Sequence, residues 1–326
     1  MSIGRFFRLA MHLQLLPVLE GGEETLIGGQ ALMEGVMMLA PHSCYMAVRK
    51  PDGEIVTQEK PVQKIADRYP IFKYPVIRGL GRLGQMMALG SKALKFSFDT
   101  ALGEEAKTEK KPSAANSWMM GGMLVFSLAF FLFLYKFVPL FLATRIGHSV
   151  PALSGRFAIN MVDGVIRIAI FLAYLLLLSW PKDIQRVFQY HGAEHKTVLN
   201  YESGQALSVE NTQRFGTFHP RCGTCFLAVM LVIAMIVYAL LPVDGFLMKL
   251  ALRIALLPLV VGLSYELIRF AARRQGTLLG VMTAPGLWLQ RITTKQPDDS
   301  QAAVAIHALN GAMALETKQG GELVIA

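Results

Sequence analysis

His191, Glu194 and His195 stand in H-x-x-E-H spacing, and 24 residues after His195 comes the run His219-Pro220-Arg221-Cys222-Gly223-Thr224-Cys225. Three of the seven histidines and two of the three cysteines thus fall within 35 residues. Positions i and i+4 share one face of a helix, so two imidazoles can take adjacent vertices of a tetrahedral metal ion. The glutamate between them can take a proton from water, which is the logic of the inverted zinc-protease box. His191, His195, His219 and Cys222 are the candidate ligands and Glu194 the candidate catalytic base; nitrogen and sulfur donors favour Zn or Fe over Mg or Ca. Four protein ligands would close the site and make it structural, whereas three leave a vertex for chemistry, and the spacing allows either. Glu202 and Glu210 are alternative carboxylate ligands. The competing interpretation makes the histidines interfacial hydrogen-bonding groups and Glu194 a surface carboxylate paired with Lys182 or Lys196.

The elements that position these residues are membranous by composition. Hydrophobic residues make up 53% of the 326 residues. Residues 117–135 carry no charge, long enough as a helix to span or nearly span about 30 Å of hydrocarbon. Further apolar stretches cover about 157–180, 224–241 and 246–268, so four spans are expected. Lys and Arg concentrate before the first span (Arg78, Arg82, Lys92, Lys95, Lys107, Lys110, Lys111), between the second and third, and after the fourth. The opposite segments are poorer, with Arg145 and Arg156 after the first span and Lys249 before the fourth. By the positive-inside rule both termini and the histidine-rich segment are cytoplasmic, which places the chain in the cytoplasmic (inner) membrane. No cleavable signal peptide is expected, because Arg5 and Arg8 interrupt the first apolar patch. Most of the net charge of +9 flanks the spans, so lipid headgroups rather than nucleic acid are its expected partners. Cys222 and Cys225 in a reducing compartment suit a metal better than a disulfide.

The expected fold class is mainly α: a polytopic membrane helical bundle with a small N-terminal cytoplasmic β element and interfacial amphipathic helices. The expected divisions are an amphipathic segment at 1–25, the β element at 26–75, an interfacial basic helix and polar linker at 76–117, the membrane region at 118–276 with its His/Cys loop at 181–223, and a helical C-terminal segment at 277–326. Ser43–Arg49 and Glu54–Thr57 around Pro51-Asp52-Gly53 read as a hairpin, and Asp298 as a helix start. Gly79-Leu80-Gly81-Arg82-Leu83-Gly84 matches a dinucleotide fingerprint but lacks a βαβ unit, so its small residues serve helix packing. Glu34, in a glycine-flanked apolar phrase, reads as a hairpin carboxylate rather than a member of the site. Asp163 and Arg167 should pair, Lys249 and Arg253 should snorkel, and Lys136 has no evident role.

Four phrases are similar to the bacterial YqhQ family of multi-pass membrane proteins: Gly28-Gly29-Gln30-Ala31 through Glu34-Gly35-Val36-Met37-Met38, Tyr190-His191-Gly192-Ala193-Glu194-His195-Lys196-Thr197, His219-Pro220-Arg221-Cys222-Gly223-Thr224, and Leu289-Gln290-Arg291-Ile292-Thr293-Thr294. The resemblance spans about residues 26–315 and implies a membrane protein predicted to be a metal-dependent enzyme, with no substrate. The family pattern more often has serine at position 225, which favours Cys222 over Cys225 as ligand. Two function classes follow: a cytoplasm-facing metal-dependent hydrolase acting on a peptide or lipid-linked substrate, or a non-enzymatic membrane scaffold that binds a protein partner on its cytoplasmic face, with a structural metal or none. Seven histidines are too few for a histidine-box di-iron oxygenase.

Overall fold

The computed structural model describes residues 27–63, 65–101, 114–219, 222–272 and 284–319. The expected N-terminal amphipathic segment, linker residues 103–113, Pro220 and Arg221, and the last residues of the chain lie outside the described residues.

Four strands, β1 (Gly28–Leu32), β2 (Gly35–Leu39), β3 (Ser43–Arg49) and β4 (Ile55–Pro61), form an antiparallel meander in the order β1-β2-β3-β4. The expected hairpin is β3–β4, and a second hairpin, β1–β2, precedes it. Every residue of β2 is buried, which requires cover on both faces. Side chains alternate along a strand, so Met37, Leu39, Cys44, Met46 and Val48 face one way, onto Ala93, Leu89 and Phe96 of helix α2 (Ile77–Ala101). Val36, Met38 and Ala47 face the other way, onto Tyr190, Ala193 and Val198 of α6 (Lys182–Glu202) and Val304, Ala305, Ala308 and Leu309 of α12 (Asp299–Lys318). The β element is therefore the middle layer of a helix–sheet–helix unit that includes the histidine-bearing helix. The one-turn helix α1 (Ile65–Arg68) leads into α2.

Helix α12 starts as its sequence requires. Asp298 accepts from the Gln301 N–H at 2.8 Å while the Gln301 side chain accepts from the Asp298 N–H at 3.0 Å, a full capping box. Asp298→Ala should cost about 1 kcal/mol, measurable as a lowered unfolding midpoint.

Apolar helices occupy all four expected spans. The first expected span ends at Tyr135, but the helix continues. α3 (Ala114–Leu132) passes through a π-turn at Phe133–Phe137 into α4 (Val138–Ser149), giving a largely apolar helical stretch of 25 residues from Val125 to Ser149. Lys136 does not end the helix because its ammonium turns inward and donates to the Tyr238 hydroxyl at 3.2 Å. The second span, α5 (Arg156–Leu178), has 23 residues. The third, α8 (Gly223–Ala239), has 17, about 26 Å and short of a full crossing. The fourth is broken by 49° between α9 (Phe246–Ala255) and α10, whose apolar part runs Leu257–Phe270; Pro258 sits at the break. Among the described residues, two helices can thus cross a membrane by length and composition, or three if the bent pair is one span.

Asp163 and Arg167 pair at 2.6 Å as expected. Arg253 does not snorkel: it is 1% exposed and donates to Asp163 at 2.6 Å, because that carboxylate lies within reach on α5. Two of the three fingerprint glycines of α2 serve packing, Gly79 against Tyr265 and Gly81 against Phe72, whereas Gly84 faces open space.

Candidate metal centre

Helix α6 buries nine residues between Tyr190 and Asn200, since the sheet and α12 cover one side and α7 (Val209–Arg214) the other. This stretch therefore carries Glu194 and His195 into the interior, with His191 half-buried beside them. His191 Nδ1 lies 2.8 Å from the Thr293 carbonyl, and His195 Nδ1 lies 2.6 Å from the Thr217 carbonyl. A carbonyl only accepts, so each Nδ1 carries a proton, and in the neutral ring it is Nε2 that presents the lone pair. Such backbone anchoring of one ring nitrogen is the usual outer support of a metal-ligating imidazole.

Both lone pairs converge on Cys222. His191 Nε2 is 3.2 Å from Cys222 Sγ, and the ligand atoms of His191, His195 and Cys222 all lie within 4.8 Å of one another. A point about 2.8 Å from all three follows from that limit. Tetrahedral zinc needs about 2.0–2.1 Å to nitrogen and 2.3 Å to sulfur, so a modest contraction suffices. Cys222 caps α8, its sulfur accepting from the Thr224 N–H at 3.4 Å.

Glu194 is buried and not paired with a lysine: Lys196 donates to the Gln213 carbonyl and Glu194 Oε2 lies 3.4 Å from His195 Nε2. Burial raises its carboxyl above the usual carboxylate range, against the pull of His191, His219 and the Gly29 N–H. Burial likewise lowers His195, opposed by Cys222, which favours the neutral imidazole that a ligand must be. His195 Nε2 is buried and has no hydrogen-bond donor. Three electron-pair donors and a carboxylate thus share one small volume, a set that fits a cation.

His219 stands apart from the three-residue group. Its ring centre is 5.6 Å from that of His195, its Nε2 is 3.6 Å from Glu202, and Gln290 clasps its backbone N–H and carbonyl at 2.8 Å each. Of the alternative carboxylates, Glu202 lies beside His219, while Glu210 is exposed and pairs with Arg214. Cys225 is buried and receives a hydrogen bond from Gln290 at 3.2 Å, so it belongs to the packing of α8 against α11 (Ala284–Thr293). Gln290 and Thr293 brace the site, and their one signal in the sequence is their place in the phrase Leu289–Thr294.

The N-terminal phrase reaches the cluster through Gly29 rather than Glu34. A Cβ on Gly29 would stand 2.6 Å from Glu194 Cγ. Glu34 sits in the β1–β2 turn at φ +54°, gripped by Arg186 through two bonds of 2.5 and 2.6 Å and by the Tyr190 hydroxyl at 3.3 Å. Gly192, between the histidines, leaves a Cβ position only 2.0 Å from the Lys295 carbonyl oxygen. Backbone cannot yield as a side chain does, so Gly192→Ala should push α6 off residues 293–295. The expected result is about 1–3 kcal/mol of destabilisation and loss of the His191–Thr293 anchor, read from the unfolding midpoint and bound metal.

A family model described as "Protein of unknown function (DUF1385)" matches residues 74–315. The chain is 35% identical over 299 residues to "Uncharacterized protein YqhQ" of Bacillus subtilis (strain 168), covering 89% of this chain and 92% of that protein. No solved structure matches.

Proposed function

The chain belongs to the DUF1385 family, whose function is unknown, and we propose that it is a membrane-anchored, metal-dependent hydrolase. One observation carries this: two imidazoles, each fixed through Nδ1 to a backbone carbonyl, turn Nε2 toward one cysteine sulfur. His191, His195 and Cys222 would hold Zn or Fe, which supplies a Lewis acid and acidifies water. His219, outside the group, leaves the ligand count at three, which favours a catalytic over a closed site. Glu194 is the base: its oxygen lies beside the cluster, the Gly29 N–H orients it, and burial raises its proton affinity.

The second reading is a scaffold with a structural metal, favoured by the near-complete burial of Glu194 and His195. Glu194→Gln separates the two. It keeps size and ligands but removes the base, so an enzyme retains its metal and loses turnover of peptide or lipid-linked ester substrates. Retained metal with unaltered cellular function leaves only the scaffold.

The proposed orientation has four spans, with both termini and the cluster in the cytoplasm, and the Lys/Arg asymmetry supports it. In intact cells a cysteine at Ser149 should react with a membrane-impermeant maleimide and one at Ser203 should not. Reaction at Ser203 overturns the orientation.

A further inference from the structure

Away from the metal cluster, the apolar helices enclose a group of charges that do not balance. Lys136 from the π-turn, Arg167 from α5 and Arg253 from α9 surround the Tyr238 ring of α8, with their charged groups 5.1, 5.2 and 5.4 Å from its centre. None of the three cations is more than 5% exposed. Among the described residues, Asp163 is the one carboxylate paired with any of them, and it serves Arg167 and Arg253 at 2.6 Å each. Asn160 accepts from Arg253 at 2.6 Å but carries no charge.

Tyr238 does not supply the missing negative charge. Its hydroxyl donates to the Arg253 carbonyl at 2.9 Å and so keeps its proton. Guanidinium groups do not deprotonate, so even a neutral Lys136 leaves two cations against one carboxylate. An uncompensated charge at such depth is among the costliest arrangements in a protein.

Three further observations fall at the same place. Arg167 Nε and Nη1 are buried without a hydrogen-bond partner. Lys136 lies in a π-turn, a distortion frequent at functional sites. Arg253 lies two residues before the 49° break between α9 and α10, and broken helices within a bundle characteristically flank ion and substrate sites.

We propose that this cluster is a binding site for one small inorganic anion of the halide type, held by the free N–H groups of Arg167 together with Lys136 and Arg253. The depth of burial favours a bare ion over a lipid headgroup, and the hydroxyl of Tyr238 orients the lysine toward it. The site is independent of the proposed hydrolase activity, because no residue of the His/Cys cluster takes part.

The test uses the full chain in a neutral detergent, with sodium chloride or bromide replacing sodium gluconate at constant ionic strength. The expected result is a saturable rise of roughly 3–6 °C in the unfolding midpoint, abolished by Arg167→Gln and kept by Lys249→Gln. Anomalous scattering from bromide-soaked crystals of the wild-type chain should place one ion beside Arg167, which tests the site even if the variant fails to fold. Equal midpoints in gluconate and halide with no bromide peak overturn the proposal. So does a tightly retained phospholipid, counted as phosphorus per chain, with no halide response, since that assigns the charge to a headgroup.

Discussion

Alanine at Cys222 or at His195 is expected to strip the metal from this protein. Detergent-purified wild type, prepared without chelators, should carry close to one Zn or Fe per chain. Substitution of groups that merely support a ligand costs about 10–100-fold in metal affinity, so loss of one of three ligands should cost at least about a hundredfold. Cys225→Ala should retain its metal, because Cys225 faces Gln290 and the α8–α11 packing instead of the two histidines. His219→Ala is the informative intermediate: a closed four-ligand centre loses metal as Cys222→Ala does, while the three-ligand centre favoured here keeps most of it. Metal content by mass spectrometry reads all four variants. Affinity should also fall with decreasing pH, since imidazole and thiol must shed protons to bind. Folded wild type without metal would end the assignment.

The second large effect concerns Asp163. Removing one member of a buried ion pair costs about 3–5 kcal/mol, because the partner is left charged and dry. Asp163→Ala strands both Arg167 and Arg253 inside an apolar bundle, so its cost should reach at least the top of that range. The triple replacement Asp163→Leu, Arg167→Met, Arg253→Met should be far milder, since apolar groups of similar volume carry no desolvation penalty. Unfolding midpoints in detergent order the two. A triple variant as unstable as Asp163→Ala would show that packing, not charge, governs this region.

Periodicity and local spacing made much of the protein legible. The i, i+4 pair His191 and His195, the capping aspartate of α12, the β3–β4 hairpin, the apolar helices and the Asp163–Arg167 pair all depend on residues within a turn or two of each other. Local geometry alone brings such groups together, and the sequence by itself determined them. It also favoured Cys222 over Cys225, because Cys222 sits in a short turn and Cys225 already lies inside a helix.

What tertiary structure decided are the meetings between distant segments. Gln290 clasps His219 across 71 residues, Thr293 anchors His191 across 102, and Gly29 fits against Glu194 from the first strand. Nothing in a helical period says which faces will touch, so the second support of the site is invisible in the sequence, and spacing alone does not separate His219 from Cys222 as a ligand. The same holds for the charges in the apolar helices. From its place near the end of a span, Arg253 is expected to snorkel, which keeps a guanidinium solvated. Lys136 has no evident role from sequence. Only the approach of α5, α8 and α9 places Asp163 and Tyr238 within reach, and a charge once surrounded by apolar helices must take the partner at hand because water no longer reaches it.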